Sequence, residues 1–536
     1  MNHKNKALYS LLIGIAIIAG ILLGQKLNFE NHSNRSFGYT EKDKIDNLLR
    51  YINDEYVDTV NTDSIVDAVI NDIMNNLDPH SVYIPKKEVA QADEELDGEF
   101  VGIGVLFQQY KDTFTVIRPL DNSPAKRAGI KAMDRILMVE NDSLFGKNID
   151  ITEISKKIKG KLNTTVKLKI YRKNIDSILD INVTRDEIPL ISVPAHYMIN
   201  DTLGFIKIKT FSASTYDEFD KAIKELKTQG MTALILDLRD NTGGLLKQAD
   251  LIADEFLPNG KMIFYTKDKK GNIKKVAATA RGQFEKGKIF VLINENSASA
   301  SEIVTGALQD NDKATIIGRR SFGKGLVQRE MQLGDGSKVR LVVARYYTPT
   351  GRCIQRAYKK GHSKEYEQDF QNRQYNGELY YKDSIPKIDS LKYTTPKGKI
   401  VYGGGGIIPD VFVPLKTNDY IYNIGVLNRF LANTITEYLD THLNELSSMT
   451  KDEFVDNQEI AESLYQAFKN SHKRKVKAYN RHKSKKGKEN LKRIMKALLA
   501  RDLFGTNTYY RILNQEDPMI NKVFEITKDS TNVNVE

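Results

Sequence analysis

The sequence predicts a multidomain α/β and β protein: a membrane-anchoring helix, a helical N-terminal region, a small β module, an α/β core and a helical C-terminal domain. Three observations carry that expectation. The 536 residues exceed what one hydrophobic core serves. After Gly98, short runs rich in β-branched and aromatic residues are separated by turn signals, as in a mostly β module. From Leu203 on, apolar strands alternate with helical patterns, the signature of an α/β core with a partly parallel sheet.

In chain order, Ala7 to Gly24 (ALYSLLIGIAIIAGILLG) carries no charge and follows Lys4 and Lys6, so 1–27 reads as a cytoplasmic start and bilayer anchor. No A-x-A cleavage pattern or lipid-accepting Cys follows, which favours a retained anchor over a cleaved signal peptide. The bulk of the chain is then expected outside the cytoplasm, in a bacterial periplasm. Polar residues 28–40 form a linker. Within 41–97, Ile45, Leu48, Leu49 and Ile52, then Ile65, Val69, Ile73 and Leu77, recur at helical spacing. The β module, 98–186, contains FVGIGVLF, TFTVIRPL, RILMVE and TVKLKIYR. The core, 187–415, carries strands LGFIKI, ALILDL, KIFVLIN and ATIIG, helices near Tyr216–Thr228, Leu245–Phe256 and Ala300–Asp310, and an insertion near 355–399. Residues 416–536 form the helical, partly basic last domain.

Charge excludes one class of partner. The chain has 80 basic and 69 acidic residues, but Lys473 to Lys496 alone holds twelve Lys or Arg against one acid, Glu489. The remainder is neutral, so a general nucleic-acid surface is unsupported. The basic segment suits an anionic membrane surface, an acidic partner or simply a solvated face. A single cysteine, Cys353, excludes an intramolecular disulfide, a CxxC redox pair and a Cys-rich zinc site.

Three segments could carry chemistry. Asn296-Ser-Ala-Ser-Ala-Ser-Glu302 lies where a strand turns into a helix, so its backbone presents a serine, flanking alanines admit a substrate, and the helix amino end offers N–H groups to an oxyanion. The competing reading is a plain helix cap. A nucleophilic serine needs a base, and no histidine lies between His196 and His362. Lys324, in an apolar Gly-Lys-Gly setting beside Phe322, serves if burial keeps its amine neutral; otherwise it is an exposed turn lysine. Asp237-Leu-Arg-Asp-Asn-Thr-Gly243-Gly244 ends a strand with paired glycines, which let N–H groups point into a site. Gly318 to Lys324 also matches GxxxxGK, but Gly325 replaces the required Ser or Thr, and GLVQREMQL alternates like a strand where a phosphate-binding loop opens a helix.

Together with Leu77-Asp-Pro-His-Ser-Val-Tyr83, Gly98-Glu-Phe-Val-Gly-Ile-Gly-Val105, GALQDN, YYTPTGR and GIIPDV, these segments occur in the order seen in carboxy-terminal processing peptidases, or tail-specific proteases. The chain resembles that family over roughly residues 40 to 415. The resemblance implies a Ser-Lys peptidase core in which Ser299 is the nucleophile, Lys324, 25 residues later, is the general base, and Gln328 orients the pair. It further implies oxyanion donors at the Ala300 N–H and one of the Gly243-Gly244 pair, with Asp310 and Arg239 as supporting structure. The β module resembles a PDZ domain, which captures a peptide's terminal carboxylate on a loop of N–H groups, here Gly102-Ile103-Gly104-Val105, and adds the peptide to an edge strand. Met133 stands where such modules usually have Gly, and the 355–399 stretch is longer than in minimal members; neither departure is expected to touch the dyad.

The resulting expectation is a serine endopeptidase that cleaves extracytoplasmic proteins near their C-terminal tails, with no metal or organic cofactor and with an adaptor or homo-oligomer possible. The rival is a catalytically silent, membrane-tethered PDZ adaptor that only binds protein C-termini.

Overall fold

The computed structural model describes Ala16 and residues 41–146, 150–415, 421–471 and 485–532. The expected anchor Ala7–Gly24, Ala16 apart, and the linker 28–40 lie outside the described residues. Among the described residues no helix is long and apolar enough to cross a membrane. The chain divides into two units at Asn71/Asp72. In the first, the helix Glu41–Glu55 follows the spacing of Ile45, Leu48, Leu49 and Ile52, and a second helix, Thr62–Leu77, starts near its end.

The second unit is built on a six-stranded sheet ordered Ala195–Met198, Leu203–Lys207, Ala233–Asp237, Lys288–Ile293, Ala314–Gly318 and Val411–Phe412. Its first pair is antiparallel and the rest are parallel. The period of two places Leu234, Leu236, Val291 and Ile293 against the helices Thr215–Thr228, Leu246–Asp254 and Ala300–Asp310. Ile235, Phe290, Leu292 and Ile317 face the opposite side, where Met519, Ile520 and Val523 of the helix Pro518–Asn532 cover them. Burial on both faces is why these strands read as unbroken apolar runs. A five-stranded antiparallel sheet lies alongside in sequence, with Lys338–Tyr347 pairing Val82–Ile84, Met262–Asp268 and Leu326–Gln332. Leu326–Gln332 is thus the strand its alternation predicts, and no helix follows the GxxxxGK segment.

The β module has its own core and a sheet ordered Val105–Tyr110, Thr113–Pro119, Arg135–Val139, Thr165–Arg172 and Ser177–Thr184, with Asp142–Ser143 pairing Arg135–Val139. The chain enters and leaves it through an antiparallel ribbon, Glu99–Gly102 with Asp186–Pro189. Val105–Tyr110 is an edge strand.

The C-terminal helices Ile421–Ser448, Lys451–Asp456, Gln458–Ser471, Lys485–Phe504 and Thr506–Leu513 pack on that module. Met133 has a left-handed backbone, φ +67°, a conformation that favours Gly. Its side chain is buried in one core with Leu431, Ile435, Leu439 and Phe468. The departure from Gly therefore has a physical reason: the side chain joins two domains. Asp440 pairs with Lys173 at 2.8 Å and Arg135 at 3.8 Å, and Gln108 hydrogen-bonds Thr436. We expect Met133→Ala to cost about 2–4 kcal/mol in urea unfolding, from the cavity it leaves. Met133→Gly should cost about 1 kcal/mol less, because it relieves the backbone.

Of the basic segment, residues 472–484 lie outside the described residues. The rest opens the helix Lys485–Phe504, where three of its basic residues have partners within the chain: Lys492 pairs with Glu462 and Glu489, Arg493 with Glu516, and Lys496 donates to the Val455 carbonyl.

Candidate active site

Three loops leave the carboxyl ends of the adjacent parallel strands Ala233–Asp237, Lys288–Ile293 and Ala314–Gly318. Such an edge is where open α/β sheets place ligand sites. Backbone bonds lock the loops together: Ala298 N–H to Asn241 C=O at 3.0 Å and Phe322 N–H to Ser297 C=O at 2.9 Å. The Asn294 and Asp240 side chains add a further pair of bonds between the first two loops. Serine, paired glycines and lysine thereby arrive at one place.

Ser299 precedes the helix Ala300–Asp310 with φ +53° and ψ −112°, a strained elbow of the kind stored at functional sites. A Cβ on Gly243 would stand 2.7 Å from the Ser299 Cβ, so only glycine permits this approach. The Gly243 N–H donates to the Asn241 side chain at 2.9 Å. The Gly244 and Ala300 N–H groups have no acceptor among the described residues.

The Lys324 amine donates to Gln328 Oε1 at 2.7 Å, and Gln328 Nε2 donates to the His80 carbonyl at 2.5 Å. Burial, then the Arg340 guanidinium, hold the Lys324 amine below the usual lysine range, against the opposing pull of Glu302 and Asp78. A lowered pKa enlarges the share of neutral amine at any given pH. Burial and the neighbouring Lys324 lower the His80 imidazole to about 4, so it stays neutral.

Glu302 was not singled out from the sequence. One of its carboxylate oxygens accepts from Ser321 Oγ at 2.5 Å and Gly323 N–H at 2.7 Å; the other accepts from Ser299 N–H at 2.9 Å and Lys324 N–H at 2.8 Å. A single buried carboxylate ties the serine and lysine backbones together. Four donors suit the charged form, although burial raises its pKa. The Ser-x-x-Glu spacing of a capping box was the available signal. His80 lies in a quoted motif but carries no spacing rule that points to Lys324.

Asp310 and Arg239 are structural. Arg352 and Asp310 pair at 2.6 Å, both fully buried. Arg239 bridges Asp237 and, at 2.6 Å, Asp517 of the C-terminal segment. The 355–399 stretch corrects an expectation, because it does reach the loop carrying Lys324. Glu378 pairs with Arg320 at 2.6 Å, Arg373 donates to the Ser321 carbonyl at 2.8 Å, and Gly325 N–H donates to Gln355 at 2.8 Å.

Gly102-Ile103-Gly104-Val105 stands apart from this cluster, in the β module. Gly104 has φ +72° and abuts Ser123. The carbonyls of Ile103 and Gly104 accept from Ala125 and Leu120. That binds the loop to the module through its carbonyls. Among the described residues no group of His, Cys, Asp and Glu is placed to hold a metal.

Residues 202–363 match the model of Peptidase family S41, residues 101–183 that of the PDZ domain, and residues 420–505 a family of unknown function, DUF8443. A carboxy-terminal-processing protease of Bartonella bacilliformis is 33% identical over 339 residues, covering 62% of this chain and 76% of that one. The chain belongs to peptidase family S41. A probable CtpA-like serine protease of Staphylococcus aureus is 35% identical over 356 residues, 64% of this chain and 69% of that one. The peptidase is thus serine-type, of the carboxy-terminal-processing kind, with a PDZ domain, which disfavours the silent adaptor. Among solved structures, the photosystem II D1 C-terminal processing protease aligns over 71% of this chain and 89% of its own at 22% identity, TM-score 0.35.

Proposed function

We propose that this S41 peptidase cleaves proteins near their C-terminal tails with Ser299 as nucleophile and Lys324 as general base. The observation that carries the reading is the half-buried Lys324, whose amine is held by Gln328 with its pKa depressed by burial, and whose backbone N–H is tied through Glu302 to that of the Ser299 elbow. The substrate tail adds to the edge strand Val105–Tyr110, with its carboxylate on the N–H groups of Gly102–Val105. The scissile carbonyl lies beside Ser299. Neutral Lys324 takes the hydroxyl proton as the Oγ–C bond forms, and the oxyanion is held by the N–H groups of Ala300 and Gly244. Gly244 is preferred because the Gly243 N–H is engaged by Asn241. Breakage of the C–N bond follows, the lysine proton going to the leaving amine, and water repeats the attack on the acyl-enzyme. Because the C-terminal helices share a core with Met133 and anchor through Asp517 on Arg239, the PDZ domain acts as a fixed delivery platform. The apolar run Ala7–Gly24 supports membrane anchoring and an extracytoplasmic, periplasmic site of action.

A substrate bearing a free C-terminus, compared with its amidated form, tests the reading. Amidation should raise KM about 10- to 100-fold, the loss of one charge-assisted set of hydrogen bonds, and Ser299→Ala should abolish cleavage of both. Equal KM values would reject tail capture, and cleavage by Ser299→Ala would reject the nucleophile.

A further inference from the structure

The long stretch between YYTPTGR and GIIPDV folds beside the base. Its helix Ser363–Tyr375 carries Tyr366, 5% exposed, whose hydroxyl lies 3.0 Å from His80 Nε2 with the two rings edge to face. The Arg356 guanidinium lies over the Tyr366 ring, 3.7 Å from its centre, and Gln355 Nε2 donates to the Tyr366 oxygen at 3.4 Å. The Tyr366 hydroxyl and His80 Nε2 share one hydrogen bond, the hydroxyl donating when the imidazole carries its proton on Nδ1.

The His80 carbonyl in turn can only accept. It therefore fixes Gln328 with its NH₂ toward His80 and its Oε1 toward Lys324. Were His80 to shift, Gln328 could rotate and present NH₂ groups to the amine it now receives. A chain of contacts thus runs from Tyr366 through His80 and Gln328 to Lys324. Phe322 closes the same cover, 6.2 Å from His80 and 6.4 Å from Tyr366 between ring centres.

We infer that Tyr366 is a positioning residue for the catalytic base, and that the inserted stretch is a brace which orients Lys324 and keeps water from it. This rests on the Ser299–Lys324 reading above. The charged and titratable groups facing the chain are Arg340 from the antiparallel sheet, Glu302 from the helix after Ser299, Asp78 from the turn before His80, and Arg356 from the brace. Of these only Arg356, itself part of the brace, touches Tyr366, so a change in the pH profile reports on the brace as a whole.

The experiment uses the full chain with a tailed peptide substrate across a pH series, folding being checked by circular dichroism. Tyr366→Phe keeps the ring and removes the hydroxyl; kcat should fall about tenfold with KM within about twofold. Tyr366→Ala opens the cover, and rehydrated Lys324 should move the rising limb of kcat against pH upward by about one unit, since activity needs the neutral amine. A wild-type kcat in the Phe variant, or an unmoved midpoint in a folded Ala variant, overturns the inference. If the Ala variant does not fold, the Phe variant decides. Ser299→Ala and Lys324→Ala run as controls: undiminished activity in either refutes the dyad itself, whereas strongly impaired controls with unchanged Tyr366 variants refute only the brace.

Discussion

Replacing Lys324 by alanine lowers kcat about 10³- to 10⁴-fold without unfolding the chain, the scale of a lost general base in acyl transfer. On the proposed mechanism the loss should be in kcat, because the amine would act on the Ser299 hydroxyl rather than on the substrate tail. In the wild type the rate should climb with pH as Lys324 gives up its proton. Burial and Arg340 disfavour the charged amine, so the climb should be centred below the ordinary lysine range. In Lys324→Ala the residual rate should lose that dependence. A steady-state pH series on both proteins checks the magnitude and the sign together.

Glu302→Gln is the second large effect, and it strikes stability and activity at once. Each carboxylate oxygen accepts two donors, one pair from Ser321 and Gly323 and the other from Ser299 and Lys324. An amide turns one acceptor into a donor, so whichever way it is placed, two donors face an NH₂ group in a fully buried site. The cost should be about 2–4 kcal/mol in urea unfolding. The fold that remains has either the serine elbow or the lysine loop released, and kcat should drop about 10- to 100-fold. Wild-type stability with wild-type kcat would show that the carboxylate does not hold the two segments.

Much of this was legible in the sequence because strands and elbows write themselves locally. ALILD, KIFVLI and ATIIG are mostly apolar since both sheet faces are covered, and the helix Ala300–Asp310 begins within the run of small residues. The close approach of serine, glycine pair and lysine was legible only through the order of known motifs, because it depends on three strands being neighbours. Other features were hidden for that reason. Met133 looked like a flaw in a β module until helices three hundred residues later were seen to enclose it. Tyr366 sits in a polar helix with nothing in its spacing to mark it, and its partner His80 lies 286 residues away. The 355–399 stretch was expected to leave the dyad alone because an insertion shows its length in sequence but not where it returns.

Peptide mass mapping of the full chain after reaction with a fluorophosphonate tests the central assignment most directly. The expected result is one phosphonylated peptide, carrying the adduct on Ser299, formed faster as pH rises and at a greatly reduced rate in Lys324→Ala. An adduct on another serine, or a wild-type labelling rate without Lys324, would contradict it.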